Sequence, residues 1–322
     1  MAPRRRPIVP GLTAALCAAA ALAPASARAD FELADGLMPP TCPVLAAFCG
    51  DFSVPGFSGW DALDGNTDSA AARARYFRIV RGRGRVPVGR SYFQALVDGA
   101  ARGGDQPGQR TQVYLSPERD PLRNKTAAYE GSDQWYHSAF AFPRDFRPSP
   151  RTEWNWVVQW HNWPDDPCCP NLAMTVDTSR RGTERLSLRV MGGGGPGQGV
   201  DTERHAASLR SVRVRWFVGD RRLRRAHWYD SLVHVRWSYR PRHGLVEWWL
   251  DGRLVMSARM PTLFWYADND SEADGATPGP GQAYWMLGYY RPLRSGRRTD
   301  GTTARVFHNG ARRGPTQASV AF

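Results

Sequence analysis

Apolar and polar residues alternate in short segments along most of the chain, and Gly, Pro, Asp and Asn punctuate the joins. A repeat of two puts successive side chains on opposite faces of a pleated strand, so these segments predict half-buried strands. The clearest span residues 135–142, 154–160, 172–177, 185–190, 231–239, 244–250 and 283–290, while long helical periodicity is nearly absent. Between Leu250 and Arg253, Asp251-Gly252 supplies the positive φ angles of a tight primed turn and predicts a hairpin. Many short strands with turns at this spacing favour an all-β sandwich or jelly roll over a parallel α/β sheet.

The first 29 residues follow another pattern. Arg4, Arg5 and Arg6 precede an apolar run over residues 8–22, too short to span a bilayer comfortably, and Ala27-Arg28-Ala29 places small residues in cleavage-site spacing. The expectation is a signal peptide over residues 1–29, cleaved after Ala29, and a secreted protein with no membrane association once it is gone. Arginine or aspartate interrupts every other candidate span. Residues 30–322 contain no long linker and read as one large all-β domain with an N-terminal extension to about residue 59, working as a monomer.

Cys17 leaves with the signal, and the remaining Cys42, Cys49, Cys168 and Cys169 are an even count that predicts two disulfides in an exported chain. Cys42 with Cys49 would close a small loop, and the adjacent Cys168 and Cys169 would pair only with strain; cross-pairing is equally open. A zinc site is disfavoured, because C-x-x-C spacing is missing. The net charge is +13, of which the four arginines of the signal contribute 4, leaving +9. That sign favours a polyanionic partner. Alone it decides little, since Lys125 is the one lysine among 43 basic residues and an arginine-rich composition is as readily mutational. Export and the lack of a recognised motif argue against nucleic acid.

Residues 192–199 and 268–281 depart from the strand pattern and read as loops. The glycine run lacks both the Lys-Ser/Thr of a phosphate loop and a dinucleotide-fold context. Asp268, Asp270, Glu272 and Asp274 could hold a structural calcium, although they do not complete an EF-hand loop and a solvated acidic loop is the simpler account. No cofactor and no catalytic metal is expected to be required. The arginine-rich stretches 204–215 and 221–225 read equally as contacts for acidic groups and as solvated turns.

Trp154, Trp156, Trp160 and Trp163 cluster around His161. Strict alternation puts Trp154, Trp156, Val158 and Trp160 on one strand face and Asn155, Val157, Gln159 and His161 on the other. Arg110-Thr111-Gln112-Val113, Gln159-Trp160-His161 and Tyr284-Trp285-Met286-Leu287-Gly288-Tyr289-Tyr290 occur in this order. They resemble the Arg-[Ser/Thr]-Glu, Gln-x-His and Tyr-Phe-Lys-x-Gly-x-Tyr signatures of jelly-roll alginate lyases. The closer resemblance is to the heparin lyase I-like and glucuronan lyase group, carried also by Trp228-Tyr229-Asp230 leading to Trp237, by Leu250-Asp251-Gly252 and by Gly288-Tyr289-Tyr290-Arg291. It covers residues 60–292.

The resemblance implies a single β-jelly-roll (concanavalin A-like) sandwich of two antiparallel sheets and a polysaccharide lyase with an acidic polysaccharide as partner. It implies catalytic roles for His161, Tyr290, Gln159 and Arg110, and substrate contacts from Trp160, Trp163, Asn162, Tyr289, Arg291 and Gln112. Two positions depart from the pattern: Gln112 replaces the Glu and cannot make its ion pair, and Met286 replaces the Lys, which puts alginate in doubt more than the reaction.

In β-elimination the C5 proton of a uronate becomes acidic only as donors neutralise the carboxylate beside it, a part that suits Arg110 and Gln159. Imidazole is by type a base suited to neutral pH, which makes His161 the candidate base, and Tyr290 is the candidate acid for the departing O4, or both acid and base in one. A lowered tyrosine pKa would need a cation such as Arg291 nearby. A glycosidase would need two carboxylates astride the bond, and the nearest pair, Glu247 and Asp251, belongs to the hairpin. The competing reading is a non-catalytic, lectin-like carbohydrate-binding jelly roll, which has no need of His161 and Tyr290 beside Arg110 and Gln159.

Overall fold

The computed structural model describes residues 43, 46–50, 52, 56, 57, 59–82, 86–99, 101, 108–115, 128–148, 154–163, 170–179, 182–195, 212–266, 279–292 and 302–322. The signal segment, Cys42, Cys168, Cys169, residues 204–211 and the acidic run from Asp268 to Asp274 lie outside the described residues. Cys49 is buried.

In chain order the elements are β1 (Phe48–Gly50), β2 (Ala62–Gly65), α1 (Ala70–Tyr76), β3 (Phe77–Arg81), β4 (Ser91–Val97) and β5 (Gly108–Tyr114). Then come β6 (Asp133–Ala141), β7 (Trp156–Trp163), β8 (Leu172–Thr178), β9 (Glu184–Gly193), β10 (Val212–Asp220) and β11 (Trp228–Arg236). The remainder are β12 (Leu245–Leu250), β13 (Arg253–Arg259), β14 (Trp265–Tyr266), β15 (Gly279–Pro280), β16 (Gln282–Pro292) and β17 (Ala304–Gly314). The fold is all-β, as its alternation requires, apart from α1, whose first turn is capped by Ser69 Oγ accepting from Ala72 N at 3.1 Å.

Two antiparallel sheets form the jelly roll. The first runs β13-β12-β11-β6-β17-β4-β3, with β1 also on β17, and the second runs β10-β9-β8-β7-β16-β5-β2. Strands β16 and β17, far apart from their neighbours in sequence, therefore lie mid-sheet. Asp251 (φ 52°) and Gly252 (φ 74°) make the tight turn between β12 and β13. Only the start of the glycine run departs from its reading as a loop: β9 continues through Gly192 and Gly193, and residues 196–199 lie outside the described residues. There Gly193 N donates to Leu263 O at 2.8 Å, and a Cβ at Gly192 would collide with the backbone of Pro261 and Leu263.

Period-two burial fills the space between the sheets. Phe93, Ala95 and Val97 of β4, Val233 and Val235 of β11 and Val246, Trp248 and Leu250 of β12 meet Leu172, Met174 and Val176 of β8 and Leu186, Leu188 and Val190 of β9. At the centre Trp160 and Trp285 stack at 6.2 Å, and Tyr136 meets both edge-on at 5.2 and 5.3 Å. Such aromatic pairs contribute roughly 0.5–1.5 kcal/mol each beyond the area they bury. Across this core His308 of β17 donates from Nε2 to Gly288 O of β16 at 2.9 Å, and Thr111 Oγ1 of β5 donates to Leu96 O of β4 at 2.6 Å, so hydrogen bonds also tie the two sheets together.

Candidate active site

The outer face of the second sheet collects the motif residues at β5, β16 and β7. The register sets Tyr290 opposite Arg110 and Gly288 opposite Gln112 across β16 and β5, and Met286 opposite Gln159 and Tyr284 opposite His161 across β16 and β7. Side chains of matched parity share this face, while Trp285, Leu287 and Tyr289 point into the core.

One departure from alternation shapes the face. Between Trp156 and Val158 the register of β7 against β8 shifts by one residue. Val157 and Val158 both enter the core, and parity reverses on either side of them. Strict alternation had separated Trp156 from Gln159 and His161. The bulge corrects this: Trp156 shares their face and meets Tyr290 edge-on at 5.2 Å, while Trp160 is core.

At one end of the face His161 lies 5.6 Å from the Tyr284 ring, and Tyr284 lies 5.9 Å from Tyr114. His161 Nδ1 is 3.2 Å from Asn162 O, which fixes the ring proton on Nδ1 and makes Nε2 the basic nitrogen. In the middle is an amide pair, Gln159 Nε2 donating to Gln112 Oε1 at 3.0 Å, with Met286 Sδ at 3.2 Å from the same nitrogen. Both glutamines are buried, yet Gln112 Nε2 and Gln159 Oε1 find no hydrogen-bond partner. Such atoms can take up a ligand group or a water without breaking a bond inside the protein.

At the other end Arg110 Nη1 donates to Asp64 Oδ2 at 2.6 Å, and the guanidinium lies 4.1 Å from the centre of the Tyr290 ring. The side chains of Arg110 and Asp64 are 10% and 17% exposed. Burial opposes the Arg110 charge, but Asp64 and Tyr290 outweigh it, and the guanidinium is held more firmly protonated than usual. Asp64 was not found from the sequence. It sits on β2 directly opposite Gln112, and so supplies from the next strand the carboxylate that Gln112 lacks. An arginine whose own motif offers no acid was the available signal.

The structure therefore brings Arg110 to Tyr290 and Gln159 to Gln112. It does not bring His161 to Tyr290, which are matched to positions six residues apart on β16 with the amide pair between them. Three expected substrate contacts turn the other way. Trp160 is core; Tyr289 donates to Asn155 Oδ1 at 2.6 Å in the interior; Arg291 is buried, with Nε on Gln109 Oε1 and Nη1 on Thr302 Oγ1 at 2.9 Å. Tyr289 and Arg291 flank Tyr290, so alternation alone puts them on the opposite face, and Arg291 is not the cation beside Tyr290. Asn162 is buried, its Nδ2 donating to Tyr266 Oη at 2.5 Å. The side chain of Trp163 lies outside the described residues.

Glu247 and Asp251 are on the first sheet and already engaged. Glu247 takes Ser257 Oγ at 3.0 Å and His234 Nδ1 at 2.9 Å, and Asp251 takes Asp230 N at 3.0 Å. A cavity of about 600 Å³ at the sheet edge, where Arg224 bonds Asp220 and Asp251, lies away from Arg110, Gln159, His161 and Tyr290. Among the described residues no group of three or more His, Cys, Asp or Glu is placed to hold a metal ion.

Residues 55–312 match the family described as polysaccharide lyase. No curated protein matches the sequence. Among solved structures, endo-β-1,4-glucuronan lyase from the fungus Trichoderma reesei is similar at 15% identity and TM-score 0.54, over 85% of this chain and 98% of that one. An alginate lyase from Pseudomonas aeruginosa matches at 13% identity and TM-score 0.43, over 77% and 91%. The catalytic domain of a glycoside hydrolase family 131 protein from Coprinopsis cinerea matches at 11% identity and TM-score 0.44, over 77% and 81%. At such identities the likeness to the glucuronan lyase is one of fold.

Proposed function

This chain belongs to the polysaccharide lyase family, and from that premise we propose that it is exported and cleaves a uronate-containing polysaccharide by β-elimination. The observation that carries the reading is the composition of one sheet face: a histidine at one end, a tyrosine over a paired arginine at the other, and two buried amides with unused hydrogen-bonding atoms between.

In this reading the uronate carboxylate docks over Gln159 and Gln112, whose amides turn to donate to it as charge builds toward the enolate-like transition state. Tyr290, deprotonated, takes the C5 proton. The electron pair of that C–H bond forms the C4–C5 double bond, the C4–O4 bond breaks, and the same phenol returns the proton to O4. His161, six strand positions away, contacts a neighbouring sugar. Gly288 leaves no side chain between Met286 and Tyr290, which keeps the floor open where the sugar would lie. Arg110 is committed to Asp64, so its part is to hold the Tyr290 ring in place rather than to neutralise substrate.

The test is growth of ultraviolet absorbance from the unsaturated uronate end as the protein acts on glucuronan, heparin, heparan sulfate, hyaluronan and alginate. Growth on one of these, lost in Tyr290→Phe by a factor of roughly 100 or more and reduced less in His161→Ala, supports the proposal. No growth on any polymer, with binding still measurable, would replace it with a carbohydrate-binding protein.

A further inference from the structure

A second feature of the same face lies three strands from Tyr290. Arg189 of β9 points outward, directly opposite Trp216 of β10 on one side and Ala173 of β8 on the other. Because Ala173 is small, the Trp156 indole reaches across β8, and the Arg189 guanidinium stands 5.0 Å from the Trp156 ring centre and 5.8 Å from that of Trp216.

This cation has no hydrogen-bonded counter-ion. Its Nε and Nη2 are shielded from solvent and bond to nothing, and among the described residues no carboxylate comes within ion-pair distance. The nearest acid felt through space is Asp177, whose own burial favours its neutral form. Burial lowers the Arg189 pKa to about 10, the direction expected of a cation stripped of water without an adequate partner. Nε–H and the neighbouring Nη2–H form one side of the guanidinium fork, the edge that accepts a carboxylate in two parallel hydrogen bonds.

The aromatic groups make a continuous track from the candidate catalytic residues to this fork. Trp156 meets Tyr290 at 5.2 Å and stacks on Trp154 at 5.0 Å, and Trp216 is 50% exposed on the outermost strand. From β16 to β9 the track crosses three strand spacings, roughly 14 Å, or about three sugar units.

We propose that Arg189, between Trp156 and Trp216, is an anion-recognising subsite that takes the carboxylate of a uronate about three units from the scissile bond, beyond the reach of a trisaccharide, the indoles supporting the sugar faces. This rests on the lyase reading of the face. The ligand enters from the side of the half-exposed Trp216, whose ring turns aside to admit it.

The test uses the full chain with Arg189→Gln, which keeps a planar donor but removes the charge. Binding is read by retardation in gels containing glucuronan, hyaluronan or alginate, with a neutral glucan as control, and elimination is followed on polymer and on a trisaccharide. Expected is a loss of roughly tenfold or more in affinity and a matching rise in KM for the acidic polymer, with kcat and trisaccharide turnover kept. Retardation equal to the unaltered protein, or equal losses on polymer and trisaccharide, would overturn the subsite. If Arg189→Gln does not fold, Trp216→Ala at the exposed edge carries the same prediction and decides it. Binding that depends on Arg189 in a protein without elimination on any polymer would sink the proposed reaction and leave the subsite standing, so the two failures are distinguishable.

Discussion

Asp64 shows how a site can be rebuilt when one motif position changes. The arginine of the motif needs a carboxylate, and the strand next door provides it at 2.6 Å while Gln112 turns to Gln159. Removing one partner of a buried pair strands the other, at a cost of about 3 kcal/mol. Asp64→Asn is therefore expected to lower the denaturant midpoint by an amount matching that figure and, with Tyr290 no longer held, to cut elimination more than tenfold. A variant with unaltered stability and turnover would show that the pair does neither. At this scale alternation read part of the site from sequence: Gln159 and His161 share one face as it predicts. Applied to Tyr289 and Arg291, the same rule gives their inward placement, against the contacts expected from the resemblance. Asp64 was illegible because a carboxylate on a short edge strand has no mark of its own partner.

At the scale of elements, the seven segments of clearest alternation all became strands, and the Asp251-Gly252 turn formed as its residues require. Among the strands that escaped is β17, whose pattern is broken by buried polar groups. In β17, Asn309 is buried with Oδ1 accepting from Val88 N at 2.7 Å and Nδ2 donating to Ser91 O at 2.7 Å, and Arg312 and Arg313 are buried beside it. Satisfied polar side chains cost little in a core, but they erase the apolar signal that a sequence reading depends on. The bulge in β7 escaped for a related reason: Val157-Val158 is apolar twice running, which is compatible with either parity. Gly288 sits at the matching irregularity of β16 with φ 150°, and a Cβ there would overlap Thr111 O. Gly288→Ala is expected to destabilise by about 3 kcal/mol or more, read as a fall in melting temperature, because backbone rather than a movable side chain blocks the added methyl. Unchanged melting would mean that β5 and β16 can part locally without loss.

For the molecule as a whole, the two sheets are held by their apolar faces and by the His308 bond to Gly288. Burial holds that imidazole neutral, its pKa lowered to about 4 from 6.5. Once unfolded, His308 takes up a proton near its ordinary pKa, so between those two values the unfolded chain binds more protons than the native one. Its contribution is thus complete above about pH 6.5 and declines as pH falls toward 4, by up to roughly 3 kcal/mol. Unfolding in urea across this range should show the slope, and His308→Gln, which can still donate to Gly288 O, should flatten it. An identical slope in the variant would assign acid sensitivity elsewhere.

The central places of β16 and β17 also govern how the chain is made. Until residues 282–314 have emerged from the ribosome, each sheet exists only as two separated flanks. On one side β13-β12-β11-β6 stands apart from β4-β3, and on the other β10-β9-β8-β7 stands apart from β5-β2. Each flank then ends in a bare strand edge, and closing the gap requires contacts of long sequence separation, the slow kind. Synthesis from the N-terminus thus leaves an open, loosely structured nascent chain through most of translation, until its last strands are in hand.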